Sequence, residues 1–414
     1  MTALKHIFNE LFAERTRIAM TILAIAWGTA SITIMLALGE GLRLTFGRSM
    51  RGMGEGILIV RNGQTSKPYE GMPEGRRIRL NPKDLQAARE SIPLIHLSSG
   101  EYDTWKPMIF GENRRTGRIG GVDPDFGEMR NLIPKPGGRF INPIDIKMRR
   151  RVIFIGSNVA KKLFGEEIDP VGQQINLDGR PFLVIGVLKK KYQTSSYGVP
   201  DRDGTWIPST TFQTMYGYPY YSNLVVKPHD ASQMENLKKS ITQLAAQRHG
   251  ADPEDDEIIR YWDTQEMQAT AGGVFYGLQT LLGIIGGLTL IVAGVGIANV
   301  MYVSVSNATR DIGIRIAVGA RDYQILTQYI FEGLLATAIG GALGLFISAA
   351  IIGAIGQIPM DGEFFEFVGK PVPILSTTVA LLVVTVLGII GFMAGVFPAR
   401  RAARVEPAEA LRYE

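Results

Sequence analysis

Few side chains in this chain are placed to do bond-making chemistry. The four histidines, His6, His96, His229 and His249, are scattered without ligand spacing, and there is no cysteine, which excludes thiolate metal sites and disulfides. No G-x-S-x-G and no phosphate-cradling G-x-x-x-x-G-K-[S/T] occurs. The carboxylate pair Asp255-Asp256 sits in an acidic run and reads as a solvated loop. No catalytic residue, metal site or bound cofactor is expected. Glu332 is the exception in kind, because it is an ionisable group inside an otherwise uncharged run, where a carboxylate is a functional candidate. Its place near one end of that run favours an interfacial role, within reach of Arg315 or Arg321.

A different chemistry, that of docking, is written in residues 307–321, N-A-T-R-D-I-G-I-R-I-A-V-G-A-R. Arg310, Asp311, Arg315 and Arg321 cannot sit in hydrocarbon, yet Ile312, Ile314, Ile316 and Val318 are too apolar for a solvated loop. Ile312, Ile316 and Ala320 fall on one face at helical spacing. The segment reads as a short surface helix half buried against a partner protein.

The elements around it are membrane spans. Apolar residues make up 46% of the chain and charged residues 20%, with a mean hydropathy of +0.09. That average conceals a polar stretch and several uncharged runs. Crossing ~30 Å of hydrocarbon takes about 20 apolar residues, and residues 18–39, 273–305, 325–358 and 373–397 each supply them. Run 18–39 reads as a retained anchor, since signal-peptide cores are shorter. Residues 1–17, with Leu4, Ile7, Phe8, Leu11 and Phe12 on one face, read as an amphipathic interfacial helix. The second run is longer than one crossing needs, so its start is expected to form a stalk.

Lys and Arg fall on alternate loops: Lys5, Arg15 and Arg17 before the first run, Arg310, Arg315 and Arg321 after the second, Arg400, Arg401, Arg404 and Arg412 after the fourth. The loop 359–372 carries Asp361, Glu363 and Glu366 against Lys370. By the positive-inside rule both termini and the segment 306–322 are cytoplasmic, as is the tail 398–414. The net charge of +5 is therefore a matter of orientation, and nucleic acid is not an expected partner. Small residues recur at contact spacing in the spans: Ala24 and Gly28, Gly283 and Gly287, Gly340 and Gly344, Gly391 and Gly395. Such pairs let helix backbones approach in lipid and point to a packed bundle or a dimer. With so few polar groups the spans are not a solute pore.

Residues 40–272 form the extracytoplasmic part, an α+β domain expected in two lobes. Strand-like runs are Ile57–Val60, Val152–Ile155 and Phe182–Ile185; helical runs are 81–90, 158–164 and 234–246. Ser157 is the expected N-cap of the second, and Gly165 its stop. Asp178-Gly179 between residues 173–177 and 181–188 predicts a type I′ hairpin. The fold class is thus four transmembrane α-helices with a large α+β domain between the first and second.

The stretch Thr309–Arg321, T-R-D-I-G-I-R-I-A-V-G-A-R, resembles the coupling segment of MacB/FtsX-type ABC transporter permeases. The ending F-P-A-R-R-A-A-R-V-E-P-A-E-A-L-R-Y-E is similar to that family's terminus, and V-I-F-I-G-S-N-V-A-K-K-L-F-G, D-P-V-G-Q-Q-I and P-F-L-V-I-G-V-L to its extracytoplasmic domain. The resemblance implies a permease in the bacterial inner membrane that relays motion for export or efflux, with ATP bound by a separate ABC ATPase subunit. It further implies a second permease copy and an adaptor of the MacA type with an outer-membrane channel. Arg310, Asp311, Ile312, Gly313, Ile314, Arg315, Ala317 and Gly319 would dock on the ATPase, supported by Arg400, Arg401, Pro407 and Leu411. Regulation of an extracytoplasmic hydrolase or sensor, and lipoprotein release, share the same architecture.

Overall fold

A computed structural model describes residues 15–360 and 362–402. The expected N-terminal amphipathic helix lies almost wholly outside the described residues, as do Pro407 and Leu411. The chain divides into two compact units, residues 46–271 with 361–369, and the remainder.

The second unit named holds the long helices α1 (Arg15–Arg51), α8 (Thr264–Asn307), α10 (Asp322–Gln357) and α12 (Thr377–Ala402). Each contains a stretch long and apolar enough to cross a membrane. Large apolar side chains such as Leu281, Phe346 and Leu381 remain exposed on their outer faces, as expected of helices that are apolar all round and meet lipid. Two helices exceed the expected spans. The first runs on past Gly39 to Arg51, and α8 continues for 44 residues, roughly 66 Å at 1.5 Å per residue. The last helix passes through Pro398 to Ala402 instead of stopping at Phe397, although Pro398 can donate no hydrogen bond to the preceding turn.

Close packing in this unit depends on glycine. A Cβ on Gly344 would stand 2.6 Å from the Ala26 carbonyl oxygen, and one on Gly340 2.7 Å from Ile25 Cβ, so α10 touches α1 backbone to backbone. Gly391 meets Thr337 and Gly395 meets the backbone at Ile330, which joins α12 to α10. Gly28 faces Leu290 of α8. Gly283 is in loose contact with Leu36, Gly287 faces no neighbour within 4 Å, and Gly286 takes the tight contact with Ile32 instead.

The other unit is built on one nine-stranded mixed sheet. Its strands are β1 (Leu58–Asn62), β2 (Ile95–Phe110), β3 (Asn113–Val122), β4 (Val152–Ile155), β5 (Gln174–Leu177), β6 (Arg180–Val187), β7 (Thr205–Pro208), β8 (Asn223–Pro228) and β9 (Ile259–Asp263). The order is β3-β7-β4-β6-β5-β2-β8-β1-β9, and β2 also pairs with β3, closing the first part on itself. The strands thus form one continuous sheet, with two buried apolar clusters packed against it. Asp178 and Gly179 both have positive φ, the geometry a type I′ hairpin between β5 and β6 requires.

Helices α2 (Pro82–Ser91), α3 (Asp125–Met129), α4 (Pro143–Lys147), α5 (Ser157–Phe164), α6 (Ser209–Tyr216), α7 (Met234–His249) and α11 (Glu363–Val368) complete this unit. Ser157 proves to be the first helical residue of α5, and the N-cap is Gly156, which makes no side-chain cap. A side chain at Gly156 would collide with the Arg202 carbonyl, so the cap position is reserved for glycine. The sequence N-P-x-D opens both α2 and α4, and in each the Asn and Asp form a reciprocal capping box.

Asp84 of the first box also accepts hydrogen bonds from Arg248 Nε (2.6 Å) and His249 Nε2 (3.2 Å), tying α2 to the end of α7. Burial alone would raise the pKa of Asp84, but His249 and Arg248 outweigh it and hold the carboxyl at about 2 against an ordinary 3.8. A folded pKa below the unfolded one adds stability above the unfolded value and loses it as pH falls through the folded value. The difference corresponds to about 2 kcal/mol. Asp84→Asn should therefore destabilise this unit by that order at neutral pH. The gap between variant and wild type should close between about pH 4 and about pH 2, read from Trp206 and Trp262 fluorescence during unfolding.

Candidate coupling site

The docking segment is a helix, α9 (Thr309–Ala317), set between the ends of two long ones. Asn307 ends α8, Ala308 forms the N-cap, and the Thr309 hydroxyl donates back to the Val305 and Ser306 carbonyls at 3.1 and 2.8 Å. The far end is a Schellman closure: Ala320 N–H donates to the Arg315 carbonyl (2.9 Å) and Gly319 N–H to Ile316 (3.0 Å). Gly319 has φ +102, a conformation that favours glycine. The chain then turns into α10, where Gln324 Oε1 accepts the Arg321 N–H at 3.1 Å. Both ends of α9 are therefore fixed.

Its faces divide differently from the expectation. Ile312 is 2% exposed and belongs to a cluster with Met301, Val305, Ile325 and Tyr329; Ile316 packs on the same cluster. The face carrying Ile312 and Ile316 thus covers the chain's own long helices. Gly313 is buried as well. Ile312 and Gly313, expected to meet a partner, instead seat the helix. The outward surface is made by Ile314 (43% exposed) and Val318 (84%), with Arg310, Asp311, Ala317 and Gly319 also exposed around them. Val318 was legible in the apolar pattern but is the one residue of that surface left out of the expected docking set.

Arg315 is half-buried and donates from Nη1 to Gln328 Oε1 at 3.0 Å, so it braces α9 against α10. Between α9 and the first turns of α10 lies an open cleft of about 510 Å³, lined by Ile314, Val318, Gln324, Ile325 and Gln328 among others. Arg400 is exposed near the end of α12. Arg401 falls in the same helix, but its side chain lies outside the described residues. Glu332 is half-buried on α10 and has an interaction partner. No group of three His, Cys, Asp or Glu among the described residues could hold a metal ion.

The result is an amphipathic helix pinned at both ends, with apolar residues left outward beside charges. Comparison with known proteins agrees with the architecture. Residues 18–244 match the MacB-like periplasmic core domain, and residues 283–407 the FtsX-like permease C-terminal domain. The chain is 30% identical over 409 residues to a protein of Chlorobium luteolum named as a macrolide export ATP-binding/permease protein MacB, covering 98% of this chain and 59% of that one. It is 32% identical over 416 residues to a protein of the same name from Rhodospirillum rubrum, covering 100% of this chain and 60% of that one. The chain thus spans about three-fifths of the length of these relatives. The crystal structure of the periplasmic region of MacB from Actinobacillus actinomycetemcomitans is 18% identical, with a TM-score of 0.43, covering 54% of this chain and 95% of that one. With one family matching more than half of the chain and a second matching the helices that follow, the protein belongs to the MacB/FtsX-type ABC transporter permeases.

Proposed function

We propose that α9 receives the stroke of an ABC ATPase partner and that the long helices relay it to the domain between the first and second spans, driving export. The observation that carries this reading is the outward pair Ile314 and Val318 on a helix whose other face is locked into its own bundle. A push on that surface has no slack to absorb it, because Ile312, Arg315 and the Gly319 closure hold α9 to α8 and α10. Helices α1 and α8 are each unbroken over their whole length. ATP is bound by the partner in this reading, and a second permease copy completes the transporter. An adaptor and an outer-membrane channel complete the export path. The relatives named for macrolide export support export as the direction.

The reading requires α9 on the cytoplasmic side, in the inner membrane with both termini inside, as the positions of Arg310, Arg315 and Arg321 support. The chain has no cysteine, so Val318→Cys gives a single reporter. An impermeant maleimide should leave it unlabelled in intact cells and label it after the inner membrane is opened. Labelling in intact cells with the outer membrane permeabilised would overturn the proposal.

A further inference from the structure

The C-terminal end of α1 carries a second feature that the coupling reading does not use. An open cleft of about 360 Å³ lies where the last turn of α1 meets the chain following β6. Its rim is cationic: Arg48 and Arg51 come from α1, Lys189 and Lys190 from the strand's exit. Its walls include Ile133 and Tyr192, 58% and 51% exposed. Arginines at a helix C-terminus are ordinary, since they meet the negative end of the helix dipole. Two lysines brought to the same opening from a different element are not accounted for in that way.

The charges there are largely uncompensated. Among the described residues Arg48, Arg51 and Lys189 make no ion pair. Lys190 stands 3.6 Å from Glu366 with both side chains exposed, a contact worth little. The scaffold is nevertheless built. The Lys189 N–H donates to the Ile133 carbonyl at 2.8 Å, and Asn131 Nδ2 donates to the Arg51 carbonyl at 3.0 Å. Behind the rim, Lys191 Nζ donates to the Arg130 carbonyl and is paired with buried Asp201 at 2.7 Å. A side chain on Gly52 would collide with the Tyr192 carbonyl, so the close approach of the loop to the helix end depends on that glycine.

From this arrangement we infer that the cleft binds an amphiphile with an anionic head, its phosphate or carboxylate among Arg48, Arg51 and Lys189 and its first methylenes against Ile133 and Tyr192. A free small anion would use the cations and leave the apolar walls without purpose; a neutral apolar ligand would leave the cations without purpose. The volume lies within the range of small-molecule sites. Anionic amphiphiles are constituents of the kind of bilayer that the helix carrying Arg48 and Arg51 is long and apolar enough to cross. The binding site stands whether or not an ATPase drives the chain.

The test uses the full chain in neutral detergent, with bound ligand counted by native mass spectrometry. The probes are dihexanoyl-phosphatidylglycerol, dihexanoyl-phosphatidylcholine and inorganic phosphate. The anionic lipid should bind at least about tenfold more tightly than the zwitterionic one, and weaken as salt screens the cations. Arg48→Gln, Arg51→Gln and Lys189→Gln together should remove that preference, while Arg48→Lys with Arg51→Lys should keep it. Equal binding of the two lipids, or affinity indifferent to salt, would overturn the inference. So would inorganic phosphate binding as tightly as the anionic lipid, which would make this a small-anion site. If the triple variant does not fold, the lipid comparison and salt titration on the unaltered chain still decide.

Discussion

Replacing both Ile314 and Val318 by aspartate should abolish recruitment of the ATPase while leaving the helical unit folded. The two positions are 43% and 84% exposed and lie outside the apolar cluster that holds Ile312, so a charge at either meets water in the free chain. In the complex the same charge would be buried against another protein. Residues at the centre of an interface commonly cost about 2 kcal/mol or more when truncated, and an unpaired carboxylate adds desolvation to that loss. A weakening of about thirtyfold per position is expected. Ile312→Asp makes the contrast, because it places a charge in the cluster with Val305 and Tyr329 and should unseat α9 itself. Co-purification of the ATPase checks the first result, and protease resistance of the free permease separates it from the second. Recruitment unaffected by the double variant, with α9 intact, would overturn the proposal that this surface docks the ATPase.

That division of faces marks the boundary of what the sequence discloses. The spans were readable because an uncharged run of that length is too apolar and too long for most sites in a water-soluble domain, while a bilayer requires it. Residues 81–90 were legible as a helix and Asp178-Gly179 as a tight hairpin, the latter through local chemistry that needs no tertiary information. Period alone showed that Ile312 and Ile316 share a face, but could not say whether that face meets a partner or the chain's own helices. The β2–β3 hairpin escaped notice for a related reason. β3 carries Arg114, Arg115 and Arg118, and β2 contains Pro107, so neither shows the clean alternation of a half-buried strand. The glycine pairs of α10 and α12 lie at tight helix contacts, whereas in α8 the tight position is Gly286 and not Gly287, a choice set by helix rotation. Nothing in the local sequence of Lys189, Lys190 and Lys191 points to Arg48 and Arg51; only the fold brings them to one cleft.

The largest loss of stability is expected at a contact that sequence could not suggest, Asp201→Asn. Asp201 and Arg130 are each 3% exposed, and Arg130 Nη2 lies 2.6 Å from Asp201 Oδ1. Lys191 Nζ approaches the other carboxylate oxygen at 2.7 Å, so one acid serves two cations, Arg130 buried and Lys191 partly so. The Arg130 guanidinium also lies over the Tyr197 ring, 4.6 Å from its centroid. Burial opposes the charge on Asp201, but Arg130 and Lys191 prevail and keep its pKa below the ordinary carboxylate value. Burial in turn lowers the pKa of Lys191. Removing the acid leaves buried Arg130 and partly buried Lys191 without their shared carboxylate. Breaking such a pair on one side typically costs about 3–5 kcal/mol, more than the Asp84 box is expected to contribute. Since the folded pKa is depressed, the stabilisation is present above the usual carboxylate range and is lost as pH falls through the folded value. Adding Arg130→Met to Asp201→Asn should recover part of the loss, because it removes one of the stranded charges. A double-mutant cycle on thermal unfolding would therefore show strong coupling, and additive costs would contradict the pairing. The same variant should loosen the chain from Lys189 to Tyr192, since Lys191 is its anchor, and so weaken the anionic-amphiphile cleft without touching a rim cation.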